Sequence, residues 1–304
     1  MKVAIVGIGH VGAALAYSLL ELETVRELML VGRNLSRIEG EAIDLRHAGS
    51  FFAAPPSVSY GPVSECRDSD IIVLCLSQKT TSLDRTHLAV DNAQLFAEVV
   101  PVLTRQNPNS IFVVATNPVD SLTQLTIELS DLPPSRVLGA GTVIDSCRFR
   151  HALSDHLRVH PDDVRAYVLG EHGESQFIWL SGAAVGGVRL EASDIPLHVI
   201  ESTRSSGTDI FRLKGNTCYA IAQALKLMVR SIAGNRLGTM PVSTQVNLGT
   251  DFPLLCLATP CVVGRRGIEQ VLKPHFSSEE QQMWLTSGRR VAATLAEIHQ
   301  SLGV

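Results

Sequence analysis

Three glycines with the spacing G-x-G-x-x-G stand between a short β-rich run and a helical stretch near the start of the chain. A strand, a tight turn and a helix in this order bring main-chain amides close to a pyrophosphate, whose charge faces the positive end of the helix. A glycine-rich turn without a ligand is the alternative, and this placement disfavours it. The motif therefore predicts a dinucleotide site formed by Gly7, Gly9, His10, Val11 and Gly12.

The first half of the chain alternates β-rich runs with helical stretches. Strands are predicted at residues 3–6, 28–31, 71–76, 111–115 and 137–138. Parallel strands need a crossover connection, so this alternation predicts a parallel sheet with helices on both faces. We therefore expect an α/β fold in which residues 1–141 form a Rossmann-type, doubly wound dinucleotide-binding domain.

The pattern changes from about residue 142, and a chain of 304 residues exceeds the usual size of one domain. We expect residues 142–304 to form an α+β domain for substrate binding, catalysis and oligomerisation. Its predicted elements are helices at 145–157, 209–233 and 278–302 and a strand at 262–263. Hydrophobic residues make up 45% of the chain and charged residues 18%, which favours buried contacts between subunits.

Charge and cysteine usage limit the possible partners. The net charge of -4 comes without a long basic run, so nucleic acid is not expected as a partner. The six cysteines form no C-x-x-C pair and lie in apolar segments, which indicates a reducing, cytoplasmic environment. Apolar runs fall short of the roughly 18 residues that a membrane span needs. The histidines and cysteines lack metal-ligand spacing, so no metal is expected.

The segment about twenty residues after the glycines predicts the choice of cofactor. An acidic side chain normally binds the adenosine ribose there, but this chain has Gly32, Arg33 and Asn34. The missing carboxylate removes repulsion of a 2′-phosphate, and Arg33 with Arg37 could bind one. This favours NADP over NAD. In the alternative, Arg33 is solvated, Asn34 binds the ribose, and both cofactors are accepted.

A second group of polar residues has the chemistry for reducing a 2-oxo acid, which needs a proton donor and a cation for the carboxylate. His172 follows Glu171 in a tight polar run, unlike the other histidines of the chain. Asp145 can hold its imidazole in one tautomer and stabilise the protonated form. Arg148 lies three residues after Asp145, on the same face of a helix. Taken alone, that pair would be interpreted as a surface salt bridge.

Together these motifs resemble the L-lactate/malate dehydrogenase family along nearly the whole chain. The segments that carry the likeness are residues 7–12, 40–45, 117–120, 137–142, 145–150, 170–173 and 214–217. The resemblance implies that His172 is the acid/base, that Asp145 is its partner, and that Arg148 is a bidentate clamp on the substrate carboxylate.

The resemblance also implies residues around the substrate and the nicotinamide. Asn117 would donate a hydrogen bond near both, Thr217 would lie beside the substrate side chain, and Ile221 would contact the nicotinamide. Family members close a loop that brings in an arginine to polarise the substrate carbonyl, and Arg85 is the candidate. Two departures leave the geometry of this loop open. The glycine-containing stretch is shortened to residues 75–77, ending in the predicted cofactor-binding Ser77, and Thr80-Thr81-Ser82 replaces the usual Pro-Gly.

The same departures leave open which residue contacts the far end of the substrate. A neutral Gln78 suits pyruvate or a longer 2-oxo acid, whereas Lys79 would favour the second carboxylate of oxaloacetate. Because malate enzymes of the family use an arginine at this position and Thr217 is lactate-like, we favour a monocarboxylic 2-oxo acid. The resemblance extends to hydroxyisocaproate dehydrogenases, so a branched or aromatic substrate is also open.

The resemblance also implies a homodimer or homotetramer, and it bears on two further interpretations. Arg150 and Arg165 occupy positions like those of the anionic effector site in sugar-phosphate-activated lactate dehydrogenases, although such residues more often form interface salt bridges. A nucleotide-binding protein that keeps the fold without the chemistry is the alternative to an enzyme. That alternative predicts damage at His172, Asp145 or Arg148, and all three residues are present.

Overall fold

A computed structural model describes residues 1–78 and 85–303, and for residues 85–87 it describes the backbone alone. The helices in this part of the chain are α1 (His10–Leu19), α2 (Leu35–Gly49), α3 (Arg85–Gln106), α4 (Val119–Ser130), α5 (Val143–Leu157), α6 (Leu197–Lys214), α7 (Tyr219–Ala233) and α8 (Ser278–Leu302). The strands are β1 (Lys2–Val6), β2 (Glu27–Val31), β3 (Ser57–Gly61), β4 (Ile71–Leu74), β5 (Ile111–Val114), β6 (Val137–Gly139), β7 (Val164–Arg165), β8 (Val168–Leu169), β9 (Phe177–Ile178), β10 (Ala184–Val185), β11 (Val188–Arg189), β12 (Gly238–Val246), β13 (Leu255–Gly264) and β14 (Gly267–Val271).

The central sheet confirms the predicted doubly wound, Rossmann-type architecture. Its order is β14-β13-β12-β6-β5-β4-β1-β2-β3, and the six strands from β3 to β6 are parallel. The strand order reverses direction between β1 and β4, and ligands bind such sheets at the carboxyl ends beside this switch point. The C-terminal half adds three antiparallel strands to the β6 edge, beginning where Ser243 pairs with Gly139.

Helices cover the sheet in two groups. Contacts join α1 to α2 and α7, and they also join α3, α4 and α8 to one another. β1, β4 and β5 are almost entirely buried between them, so these strands are continuous apolar runs without polar alternation. Among the described residues, no helix combines the length and apolar character that a membrane crossing requires. The rigid sheet thus presents the loops after β1, β2, β4 and β5 along one edge.

The prediction of one long helix at 209–233 was wrong. Two helices occupy this region, because α6 ends at Lys214 and Gly215 adopts a left-handed conformation with φ +78°. A helix cannot continue through that conformation, and glycine is the residue that adopts it at least cost. The short link through Thr217 then leads into α7. The predicted terminal helix is confirmed as α8, which Ser277 caps with a reciprocal capping box.

The strand prediction for the C-terminal half was incomplete. The predicted strand at 262–263 is the end of the ten-residue β13, and β12 was not predicted at all. Both strands lie in the interior of the sheet and are mostly buried, so they lack the alternation of polar and apolar residues that marks a half-exposed strand. These strands matter for the site because they form its floor on the C-terminal side.

Candidate active site

The glycine turn lies where β1, β2 and β4 end. Gly7 has φ +100°, its amide donates to the Val31 carbonyl at 2.9 Å, and a Cβ on it would stand 2.5 Å from the Leu76 amide nitrogen. A Cβ on Gly12 would overlap the carbonyl oxygen of Gly7. Around Gly9, in contrast, a Cβ would meet no described heavy atom within 4 Å. The first and third glycines are therefore required for packing, and the second leaves the backbone open to a ligand.

The start of α1 fits the pyrophosphate of a dinucleotide. The helix begins at His10, no side chain caps it, and its first turn has no acidic residue. Gly9 and His10 are exposed, and Val11 is half-buried. Uncapped amides at the positive end of a helix are the groups that bind phosphate.

The residues predicted to select between NADP and NAD follow the end of β2. Gly32 is half-buried, and a Cβ on it would stand 2.7 Å from Cδ1 of Ile38. Arg33 and Arg37 are exposed. The Asn34 side chain caps α2, because its Oδ1 accepts a hydrogen bond from the Arg37 amide at 3.1 Å. The cap uses the side-chain oxygen of Asn34 and leaves its amide N–H groups available as donors.

Asp145, Arg148 and His172 form one buried cluster. Asp145 Oδ2 lies 2.6 Å from His172 Nδ1, and its Oδ1 accepts from Arg148 Nη1 at 3.0 Å. The exposed fractions of the side chains are 2% for Asp145, 16% for Arg148 and 23% for His172. The pair on α5 is therefore no surface salt bridge. Because Nδ1 is committed to Asp145, Nε2 is the ring nitrogen left to exchange a proton with a substrate.

Local packing explains why these three side chains meet. Ser146, next to Asp145, accepts a hydrogen bond from the Val168 amide at 2.9 Å and so ties α5 to β8. Gly170 then exchanges two main-chain hydrogen bonds with Ala258 of β13, at 3.1 and 3.0 Å. Gly170 has φ +92°, and its missing side chain leaves room for Ser287 of α8. The turn that holds His172 is thereby fixed against three elements.

Neighbouring charges set the protonation of the pair. Burial by itself would lower the pKa of His172, but the charge and hydrogen bond of Asp145 raise the pKa above its ordinary value. Burial by itself would raise the pKa of Asp145, yet the charges and hydrogen bonds of His172 and Arg148 lower it overall. The cluster therefore favours a protonated imidazole beside an ionised carboxylate.

A second carboxylate, not predicted as a site residue, lies below the same turn. Asp120 in the first turn of α4 accepts from the His172 amide at 2.7 Å and from the Ser243 hydroxyl at 2.6 Å. Its exposed fraction is 2%, and burial raises its pKa to about 6. The only sequence signal for it was its place in the segment 117–120.

The loops after β4 and β5 are joined by a buried amide that the sequence did not single out. Asn92 of α3 accepts from the Gln78 amide at 2.9 Å and donates to the Asn117 carbonyl at 2.8 Å. Asn117 is exposed three residues before Asp120. Ser77 is exposed beside Gln78, and its hydroxyl donates to the Gln78 carbonyl at 3.1 Å. Two predicted substrate-binding residues thus share one support.

The remaining predicted residues lie on the C-terminal helices or outside the description. Thr217 is half-buried in the link between α6 and α7, and Ile221 is partly buried in the first turn of α7, which packs on α1. Arg85 begins α3, but its side chain and the whole of Lys79 lie outside the described residues. No cluster of potential metal-binding side chains occurs within the described ranges.

Two further features lie around the site: the predicted effector residues Arg150 and Arg165, and helix α6, which faces Arg148. Arg150 donates to the Ala166 carbonyl at 3.4 Å, next to the exposed Arg165. Gly207 of α6 lies against Arg148, since a Cβ there would be 3.3 Å from Nη1 and 3.4 Å from Nη2. The absence of a side chain at Gly207 leaves the guanidinium room to orient.

Comparison with known proteins identifies the family of this chain. Residues 1–139 match the lactate/malate dehydrogenase NAD binding domain, and residues 142–301 match the alpha/beta C-terminal domain of the same family. The L-lactate dehydrogenase of Thermus aquaticus is 37% identical over 100% of both chains. That of Acetivibrio thermocellus is 33% identical over 100% of this chain and 98% of its own. A solved lactate dehydrogenase from a Medee basin deep-sea metagenome library has a TM-score of 0.91 and 30% identity over 98% of each chain. This chain belongs to the lactate/malate dehydrogenase family.

Proposed function

We propose that this lactate dehydrogenase-like oxidoreductase interconverts a monocarboxylic 2-oxo acid and the corresponding L-2-hydroxy acid. The observation that carries the proposal is the buried cluster in which Asp145 contacts both His172 and Arg148. In this cluster His172 can supply a proton and Arg148 can bind an anion, which are the two functions that the reduction of a 2-oxo acid requires. The names of the relatives, L-lactate dehydrogenases, support the same substrate class.

In the proposed reduction, the residues of the chain bind, orient and protonate the substrate. Arg148 presents the N–H groups that Asp145 leaves free to the substrate carboxylate, in a bidentate contact. His172 donates its Nε2 proton to the carbonyl oxygen as that oxygen becomes a hydroxyl, and Asp145 stabilises the imidazolium before transfer. A reduced nicotinamide cofactor, when bound at the glycine turn, supplies the hydride. Arg85 is proposed to polarise the carbonyl, and Asn117 to donate a hydrogen bond to it.

For the far end of the substrate we propose Gln78 and Thr217. The Gln78 side chain is neutral and its backbone is anchored by Asn92, so it suits an apolar substrate group better than a second carboxylate. Pyruvate and longer 2-oxo acids are the expected substrates, and oxaloacetate is the expected poor one. If Lys79 contacted the substrate, its positive charge would instead favour oxaloacetate over the monocarboxylic acids.

We propose that the cofactor site accepts NADPH at least as well as NADH. The family match supports NAD as a cofactor. However, no carboxylate stands at Gly32 to repel a 2′-phosphate, and Arg33 and Arg37 are exposed beside it. The two arginines are the main candidates for contact with a 2′-phosphate, while Asn34, which caps α2 through its oxygen, keeps its amide N–H donors for a ribose hydroxyl.

We further propose a cytoplasmic homodimer or homotetramer in which residues 1–141 bind the cofactor and residues 142–304 carry substrate and subunit contacts. Exposed apolar side chains of the C-terminal half, such as Leu213 and Tyr219, support subunit contacts there. All six cysteines are free thiols, in keeping with a reducing compartment. Light scattering of the purified protein would measure the number of subunits.

The test is a panel of initial reduction rates. Pyruvate, 2-oxoisocaproate, phenylpyruvate and oxaloacetate are each assayed with NADH and with NADPH. The proposal predicts the highest kcat/KM for a monocarboxylate, with NADPH matching or exceeding NADH. A preference for oxaloacetate would contradict the assignment of Gln78, and no turnover with any pair would contradict the enzymatic function.

A further inference from the structure

Asp120 is a fully buried carboxylate that the proposed chemistry does not use. Both of its oxygens are occupied, one by the His172 amide at 2.7 Å and the other by the Ser243 hydroxyl at 2.6 Å. Asp120 binds the main-chain amide of His172, whereas Asp145 binds its imidazole ring. His172 is therefore held between two buried acids, each in the first turn of a different helix.

Hydrogen bonding alone does not explain why this residue is an acid. An asparagine could accept from the His172 amide with its oxygen and donate to the Ser243 hydroxyl with its nitrogen, because a hydroxyl both donates and accepts. It would do so without placing a charge in the interior, which is costly unless the charge is paired. The penalty is visible in Asp120 itself, whose pKa burial raises to about 6. The negative charge is thus the property that an asparagine would not supply.

We propose that Asp120 is a second positioning residue for His172, which fixes the main chain of the turn and whose negative charge helps to keep the imidazole protonated. The inference rests on the proposed acid/base role of His172. Above about pH 6 Asp120 is ionised, so its charge is present in the range where a histidine titrates. Asp120 raises the pKa of His172 in addition to the larger effect of Asp145.

The other charged groups around His172 come from three elements. Asp145 and Arg148 face it from α5, with opposite effects on its proton affinity. Glu171 lies beside it in the turn, where its carboxylate is bound by Ser175 and faces Arg290 Nε at 3.7 Å. On the far side of Asp120, burial holds the pKa of the Cys256 thiol of β13 well above its usual range, so that group stays neutral.

The test measures the protonation of His172 directly. In Asp120→Asn, NMR titration of histidine-labelled protein should show roughly tenfold weaker proton binding at His172, since a nearby charge shifts a pKa by about one or more. The signal is assigned by its absence in His172→Ala. The alkaline limb of kcat/KM for 2-oxo acid reduction should move to lower pH by about one pH unit, which corresponds to the same tenfold change. Glu128→Gln, on the same helix but partly exposed, is the matched control and should leave both midpoints in place.

Ser243→Ala provides a second variant that keeps the Asp120 carboxylate. The Ser243 hydroxyl lowers the Asp120 pKa, so its loss should leave less Asp120 ionised and move the His172 midpoint in the same direction by a smaller amount. Unchanged His172 titration in a folded Asp120→Asn protein would overturn the inference, even if rates fell equally at every pH. If Asp120→Asn did not fold, an unchanged midpoint in Ser243→Ala would overturn it. An inactive wild-type protein would instead contradict the proposed function, and the NMR titration would still test Asp120.

Discussion

Replacing Asp145 by asparagine removes a charge from a site that is 1% exposed while keeping the shape of the side chain. The carboxylate accepts one hydrogen bond from His172 and one from Arg148, both charge-assisted. Asparagine has one acceptor oxygen, so its amide N–H groups must face one of these two donors. If the loss falls on His172, a charged hydrogen bond worth about 1.5–3 kcal/mol disappears from the imidazolium. That energy corresponds to roughly 10- to 150-fold weaker proton binding.

The substitution should shift the pH dependence of both the reduction and the oxidation. His172 has a raised pKa in the native protein, so it stays protonated to higher pH than an ordinary histidine, and the substitution lowers that limit. Reduction needs the protonated imidazole and should lose roughly 10- to 150-fold in kcat/KM on the alkaline side. Oxidation of the 2-hydroxy acid needs the neutral imidazole, so its acidic limb should also move to lower pH.

The assay is kcat/KM in both directions from about pH 5 to about pH 9, where the imidazole titrates. Asp155→Asn is the matched control, because Asp155 lies on the same helix and its side chain is 71% exposed. That control should reproduce the native profile. Losses that are equal at every pH, with the midpoints of both pH profiles unchanged, would show that Asp145 does not set the protonation of His172.

Two further substitutions test the cofactor site and the support of the substrate loop. Gly32→Asp should raise the ratio of kcat/KM with NADH to that with NADPH, with a small shift of Ile38 to admit the new Cβ. The control Gly40→Asp should leave this ratio unchanged. An unchanged ratio in Gly32→Asp itself would contradict the explanation of cofactor choice. Asn92→Ala leaves the Gln78 amide and the Asn117 carbonyl without their buried partner, which should raise KM for the 2-oxo acid and lower the free energy of unfolding by about 1–3 kcal/mol. Exposed Asn109→Ala is its control, and equal KM values in the two variants would show that Asn92 does not hold the loop.

The parts of the fold that the sequence predicted are those fixed by local patterns. The glycine turn and the strands around it follow from short-range signals, and the family resemblance extended them along the chain. The break at Gly215 was missed although its signal is local, since glycine is the residue that most readily ends a helix. β12 and most of β13 were missed for a different reason, since burial on both faces removes the alternation that identifies a strand.

The candidate site divides in the same way. His172, Asp145 and Arg148 were predicted from residue type and spacing, and the structure brings them together. The supports were not predicted, because they depend on contacts between distant segments: Asp120 is 52 residues from His172 and 123 from Ser243. Such residues have ordinary polar side chains in the sequence, and only tertiary packing shows which buried donor each one satisfies.

The most direct test of the account is His172→Ala, with binding and turnover measured on the same preparation. Turnover with the preferred 2-oxo acid should fall by several orders of magnitude, while the affinity for the reduced cofactor, measured by fluorescence titration, should stay close to the native value. His151→Ala, which removes an exposed histidine from α5, should leave both unchanged. Native-like turnover in His172→Ala, or loss of cofactor binding in place of turnover, would contradict the assignment of His172 as the proton donor.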